Sequence, residues 1–170
     1  MAATYEPIAT TTLGSAASSI TFSSIPSTYT DLRVIITFTS TTGGYVLGMR
    51  FNSDTASNYS VTQLYGTGSS ALSASTTGDT RIRLGDWNNL GSSTTIPAFV
   101  DVSVFSYTGS TYKTVLAQSS EDRNGSGTVT SGVGLWRSTS AINTINLYVS
   151  GTGNTLKTGT TATLYGILKA

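Results

Sequence analysis

Eight carboxylates, three lysines and a large stock of hydroxyls are the reactive side chains of this chain, which has neither histidine nor cysteine. Without an imidazole there is no ordinary Ser-His-Asp triad, and without a thiol there is no cysteine nucleophile. Zinc loses its two commonest ligands for the same reason. Glu121-Asp122 is the one adjacent carboxylate pair. Glycoside hydrolysis needs two carboxyls facing each other across a cleft, and neighbours on a strand or turn point apart. The pair therefore reads as part of a solvated polar loop, Glu121–Gly127. Asn52-Ser53-Asp54 and Asp86-Trp87-Asn88 offer oxygen ligands of the kind calcium takes, but with neither the number nor the spacing of a calcium loop. They read as turn-forming Asx residues. Gly66-Thr67-Gly68 lacks the further glycine and helix of a dinucleotide turn, and no Gly-Lys-Ser/Thr phosphate loop occurs. No catalytic residue, no cofactor and no metal site is expected, and the chain does not read as an enzyme.

Aromatic and basic side chains are the better candidates for binding. Trp87 and Trp136 lie beside turns, where a broad ring can stack on a sugar, bury at an interface or plug an end of the fold. Arg81 and Arg83 alternate with Ile82 and Leu84, which turns the arginines outward if the apolar pair faces a core. Asn58-Tyr59-Ser60 and Asn124-Gly125-Ser126 match the glycosylation sequon, which means little without a secretion signal.

These candidates must be positioned by strands. Ser, Thr and Gly make up roughly 45% of the 170 residues, far above ordinary usage. The 38% of hydrophobic residues are regularly spaced and sufficient for a core. The strongest pattern is Asp31–Ser40, with Leu32, Val34, Ile36 and Phe38 on one face and Arg33, Ile35, Thr37 and Thr39 on the other. With Thr42-Gly43-Gly44 as a turn, Tyr45–Phe51 reads as its antiparallel hairpin partner. Thr95–Tyr107 repeats the pattern through Ala98, Val100, Val102 and Val104, and the face of Leu32 and its companions is expected to be buried against it. Shorter strands are expected at Ser19–Phe22, Tyr59–Tyr65, Thr80–Leu84, Tyr112–Gln118, Val129–Leu135, Ile142–Val149 and Thr160–Lys169. Gly66–Gly78 reads as a long exposed loop with at most a short strand at Ala71–Ala74.

Nine to eleven strands with turn signals at 8–15-residue spacing, and no capped helical period, predict an all-β fold: an antiparallel β-sandwich, jelly-roll-like. Residues 1–13, carrying Pro7, are expected to form an N-terminal arm or edge strand, and residues 14–170 a single sandwich domain. A net charge of +1 with 10% charged residues prepares no basic patch for phosphate backbones, so nucleic acid is not an expected partner. Neither a signal peptide nor an apolar run long enough to span a bilayer is read, so no membrane is expected. So weakly charged a surface tolerates close association.

YEPIATTTLGSAASSITFSSIPSTYTDLRVIITF, then MRFNSDTASNYSVTQLYG, and the closing TTATLYGILKA, resemble small virion structural proteins of tailed bacteriophages. The resemblance covers nearly the whole chain. It implies a β-sandwich building block made in the host cytoplasm, a homotrimer or other homo-oligomer. The first position it implies is the capsid exterior, as a decoration (cement) protein that binds and stabilises the lattice of the major capsid protein. The alternative is a tail-fibre or baseplate module recognising host surface carbohydrate. A free-standing domain without a trimerising shaft favours decoration. For decoration the expected contacts are the Ala2–Leu13 arm with Tyr5, the Gly66–Gly78 loop, and Arg81 and Arg83. For carbohydrate they are Trp87 and Trp136 beside amides such as Asn88, Asn89 or Asn124.

Overall fold

The computed structural model describes residues 4–42, 46–85, 90–91, 93–151 and 153–168. Twelve strands form among them: β1 (Tyr5–Thr12), β2 (Ser19–Phe22), β3 (Asp31–Phe38), β4 (Leu47–Phe51), β5 (Tyr59–Gly66), β6 (Ala71–Asp79), β7 (Ile82–Arg83), β8 (Ala98–Val104), β9 (Lys113–Asp122), β10 (Gly127–Trp136), β11 (Ile145–Val149) and β12 (Thr161–Ile167). No helix occurs among the described residues. Eight strands make one sheet in the order β1-β12-β3-β8-β9-β10-β5-β6, and four make a second in the order β2-β11-β4-β7. Every pairing is antiparallel. The chain is an all-β sandwich.

The period-two pattern decides which face is covered. Leu32, Val34, Ile36 and Phe38 of β3, Ala98 to Val104 at alternate positions of β8, and Ala162 and Leu164 of β12 are all buried. Ile20 and Phe22, Leu47, Met49 and Phe51, and Ile145 and Leu147 of the smaller sheet join them in one core. Burying this many large apolar side chains, at about 1.5–3 kcal/mol each, is the main term holding the sheets together.

Several expectations are corrected. β3 and the Leu47–Phe51 strand are not a hairpin: β3 pairs with β12 and β8, whereas β4 pairs with β11 and β7 in the other sheet. Two apolar faces in sequence can meet side by side or across the sandwich, and periodicity does not distinguish the two. The strand ends where Ser40 bridges Leu156 and donates its hydroxyl to the Gly91 carbonyl at 2.7 Å. β8 likewise lies beside β3 in the same sheet, so both present their apolar rows to the smaller sheet. Ala71–Asp79 is a full edge strand rather than loop, joined to β5 by a turn in which Gly68 takes a φ of 87°. Small and hydroxyl side chains carry no burial pattern, so a strand exposed on both faces leaves no periodic signal. The polar loop after β9 shrinks to residues 123–126, because β9 runs through Asp122 and β10 starts at Gly127.

Candidate functional site

Cross-strand registers turn the outer face of the eight-stranded sheet into rows of neighbouring side chains. One row runs Thr12, Thr161, Thr37, Phe99, Ser120, Val129, Gly66, Ala71 from β1 to β6. The next runs Thr10, Thr163, Ile35, Asp101, Gln118, Ser131, Leu64, Ser73, and a third continues through Tyr165, Arg33, Ser103, Leu116, Val133, Thr62. Over β8, β9, β10 and β5 these rows place Phe99, Leu116, Val129, Val133 and Leu64 on one exposed surface. Leu64 is 67% and Val129 62% exposed. A shallow trough of about 650 Å³ lies here, lined among others by Leu64, Phe99, Val129, Gln118 and Ser73. Hydroxyls and one amide edge it, and no charged side chain lines it.

Charge gathers on the β1 side of the same face. Arg33 Nε donates to Asp101 Oδ1 at 2.7 Å, and a second guanidinium nitrogen binds the other carboxylate oxygen. Arg33 Nη1 donates to the Tyr5 hydroxyl at 3.0 Å, and the guanidinium carbon Cζ lies 5.8 Å from the Tyr5 ring centre. The hydrogen bond to Asp101, then that to Tyr5, hold the guanidinium firmly protonated. Tyr5 is 46% exposed and stands edge-on to Tyr165. The N-terminal segment is thus laid down as the edge strand β1 with Tyr5 on this surface.

The remaining sequence candidates fall elsewhere. Trp136 is 2% exposed, stacked on Tyr59 and packed against Phe51, and its Nε1 donates to Asp54 Oδ2 at 2.8 Å. It therefore offers no face to a sugar or a partner, which corrects its reading as an interaction residue. Trp87, with Asp86, Asn88 and Asn89, lies outside the described residues. Arg83 donates to Asp79 Oδ2 at 2.6 Å, and Arg81 lies across Gly48, where an added methyl would meet its Cδ at 2.7 Å. Both sit on the outer face of the smaller sheet beside Arg50, whose guanidinium covers the Tyr148 ring at 4.6 Å.

The oxygen-rich segments serve the fold. Asn52 and Ser53 adopt φ of 51° and 57°, and the Asn52 carboxamide accepts from Asn143 N–H and Thr144 N–H while donating to the Ala141 carbonyl. Asp54 accepts from Trp136, from Asn58 Nδ2 at 3.0 Å and from Ala56 N–H at 2.8 Å. Burial pushes its carboxyl upward, but the bonds from Asn58, Trp136 and Ala56, with the charge of Arg50, outweigh this and hold it below its ordinary range. Glu121 is 3% exposed, not solvated as expected: it accepts from Gly91 N–H and Ser93 N–H at 2.9 Å each and pairs with Arg123 at 3.4 Å. Asp122 points the other way and is exposed. Lys113 is fully buried, its ammonium donating to the Gly109 and Thr111 carbonyls, and desolvation lowers its pKa. No group of three metal-ligating side chains forms among the described residues.

No family model and no curated protein matches this chain. The geometry thus presents one broad, uncharged, apolar-centred surface. Of its residues, Phe99 falls with Phe105 opposite Ala98 to Val104 in the sequence alternation, and Leu116 opposite Val115 and Ala117. Recognising that face as uncovered required knowing that only one side of the sheet has a neighbour.

Proposed function

We propose that this chain is a non-catalytic structural and binding module, a virion protein that decorates the capsid exterior and engages the major capsid protein. The observation that carries the binding reading is the exposed apolar trough around Leu64, Val129 and Phe99. Contiguous exposed apolar surface rimmed by hydroxyls is what a protein–protein contact uses, because covering it removes apolar area from water without desolvating charge. The virion setting comes from the resemblance stated above. In that setting each copy binds only the assembled lattice and stabilises it by linkage, and many weak contacts add up over the shell.

The test is capsid occupancy by full-length protein carrying Leu64→Asp and Val129→Asp, both on the outer face and so compatible with folding. Each substitution removes an apolar contact of about 1.5 kcal/mol or more and inserts a charge, so affinity should fall about a hundredfold or further. Unchanged occupancy would remove this face from the account. Copy number per particle separates the positions: hundreds of copies fit decoration, while a few to a few dozen fit the tail, where carbohydrate binding sensitive to Trp87→Ala becomes the reading.

A further inference from the structure

The two edges of the eight-stranded sheet are built differently. β1 carries Pro7, which has no backbone donor, and a register shift between Pro7 and Ala9. Both devices blunt an edge against an added strand. β6 has no proline, no lysine or arginine, and no charge before Asp79; its own register shift, between Thr76 and Asp79, lies past the run from Ala71 to Thr76 that pairs with β5 unbroken. Strand β2 has four residues and β7 two, so neither edge of the smaller sheet offers a comparable length.

The phase of the hairpin says which backbone groups β6 leaves open. Thr67 N–H donates to the Ser70 carbonyl at 3.0 Å, making Thr67 and Ser70 a hydrogen-bonded pair. Bonded and non-bonded pairs alternate from there along an antiparallel ladder. Leu72, Ala74 and Thr76 therefore bond to β5. Ala71, Ser73 and Ser75 turn one N–H and one C=O each away from the sheet, six groups in all. Their side chains stand in the same rows as Gly66, Leu64 and Thr62, at the margin of the apolar trough.

We propose that β6 is a self-association edge, through which two copies of this chain pair antiparallel about a two-fold axis at Ser73. In this register Ala71 of one copy faces Ser75 of the other and Ser73 faces Ser73, which uses all six open groups of each edge. Leu72, 46% exposed, falls opposite Ala74 of the other copy and gains an apolar neighbour. The overlap from 71 to 75 brings no like charges together, and Asp79 lies beyond it, held by Arg83. The row that ends Ser131, Leu64, Ser73 continues into Ser73 and Leu64 of the second copy, so the two apolar troughs meet across the axis. An uncharged edge of this kind is complementary to itself, which makes a second copy its natural occupant.

The experiment is sedimentation equilibrium and light scattering on the purified full chain at high micromolar concentration. The wild type should have twice the 17.6 kDa of one chain. Ser73→Pro removes an N–H that β5 does not use, so the fold survives, as circular dichroism verifies, and the protein should be a monomer. Ser73→Lys and Ser73→Glu place like charges at the axis; each alone should be monomeric, and an equimolar mixture should form a one-to-one pair. A monomeric wild type, an oligomer untouched by Ser73→Pro, or a mixture that stays monomeric would each overturn the proposal. A strand-donating partner of another sequence would show as a monomeric wild type and count against self-pairing. The pairing is independent of the capsid role, since loss of occupancy with Leu64→Asp and Val129→Asp can stand whether or not Ser73 lies on an axis.

Discussion

Replacing Asp54 by Ala tests whether the buried indole of Trp136 is anchored by a charge. The bond from Trp136 Nε1 is 2.8 Å long, and the residue that makes it is almost fully enclosed. A hydrogen bond to a charged group contributes about 1.5–3 kcal/mol, and a buried donor left without an acceptor costs about 1–3 kcal/mol. The half-buried bond from Asn58 adds a smaller amount, while Ala56 N–H is exposed and finds water. The expected loss is about 3 kcal/mol, or roughly 6–12 °C in Tm for a domain of this size. Asp54→Asn keeps an acceptor and should lose about half as much. Chemical unfolding followed by tryptophan fluorescence measures both. A cycle with Trp136→Phe isolates the pair, with an expected coupling of about 1–2 kcal/mol. The pH dependence has a definite sign: because the folded carboxyl titrates below its unfolded value near 3.9, its contribution is complete above about pH 4 and lost as pH falls through the folded pKa. Additive single mutants, or an Asp54→Ala loss under about 0.5 kcal/mol, would refute the reasoning.

Two further outcomes follow from close packing. Gly166 faces the Tyr29 ring so closely that a methyl would overlap it; Gly166→Ala should cost about 1–3 kcal/mol in thermal unfolding, and adding Tyr29→Ala should recover part of that loss. Burial pushes the Tyr59 phenol up to about 12, above an unfolded value near 10. Its stabilisation is present below about pH 10 and lost between about 10 and 12, so stability should fall across that window and fall less steeply in Tyr59→Phe.

What could be read from sequence is what one strand reports by itself. Leu32, Val34, Ile36 and Phe38 announced a buried face, and the absence of helical period announced the fold class. Which strand lies beside β3 depends on residues more than a hundred positions apart, as in the pairing of Leu164 with Val34. That information is tertiary, and the glycines after Thr42 invited a local hairpin the fold does not make. Glu121 misled for a related reason. A carboxylate in a polar run is ordinarily solvated, and its burial here depends on the Gly91 and Ser93 amides arriving from another loop. Trp136 could not be assigned until Asp54, distant in sequence, was seen to accept its N–H.

The composition itself has a geometric cause. Eight strands stacked on four leave the margins of the larger sheet with little cover: Ile8 of β1 reaches the core only partly buried. β1 and β6, at those margins, have no fully buried residue. A strand wet on both sides gains nothing from alternating apolar residues, and exposed apolar ones there would invite aggregation. Threonine suits the site because its branched Cβ favours extended backbone while its hydroxyl stays hydrated or finds a cross-strand partner. Thr10 with Thr163 at 3.1 Å and Thr12 with Thr161 at 2.9 Å are such pairs. The hydroxyl-rich, charge-poor sequence is therefore that of a sandwich with one oversized sheet. Charged edges would keep copies apart; β1 resists pairing through Pro7 and its bulge, whereas β6 has no proline and its bulge lies past Thr76, outside the 71–75 stretch. An open, neutral edge beside an apolar trough is costly to retain in a protein that works alone, which makes assembly the condition under which this surface makes physical sense.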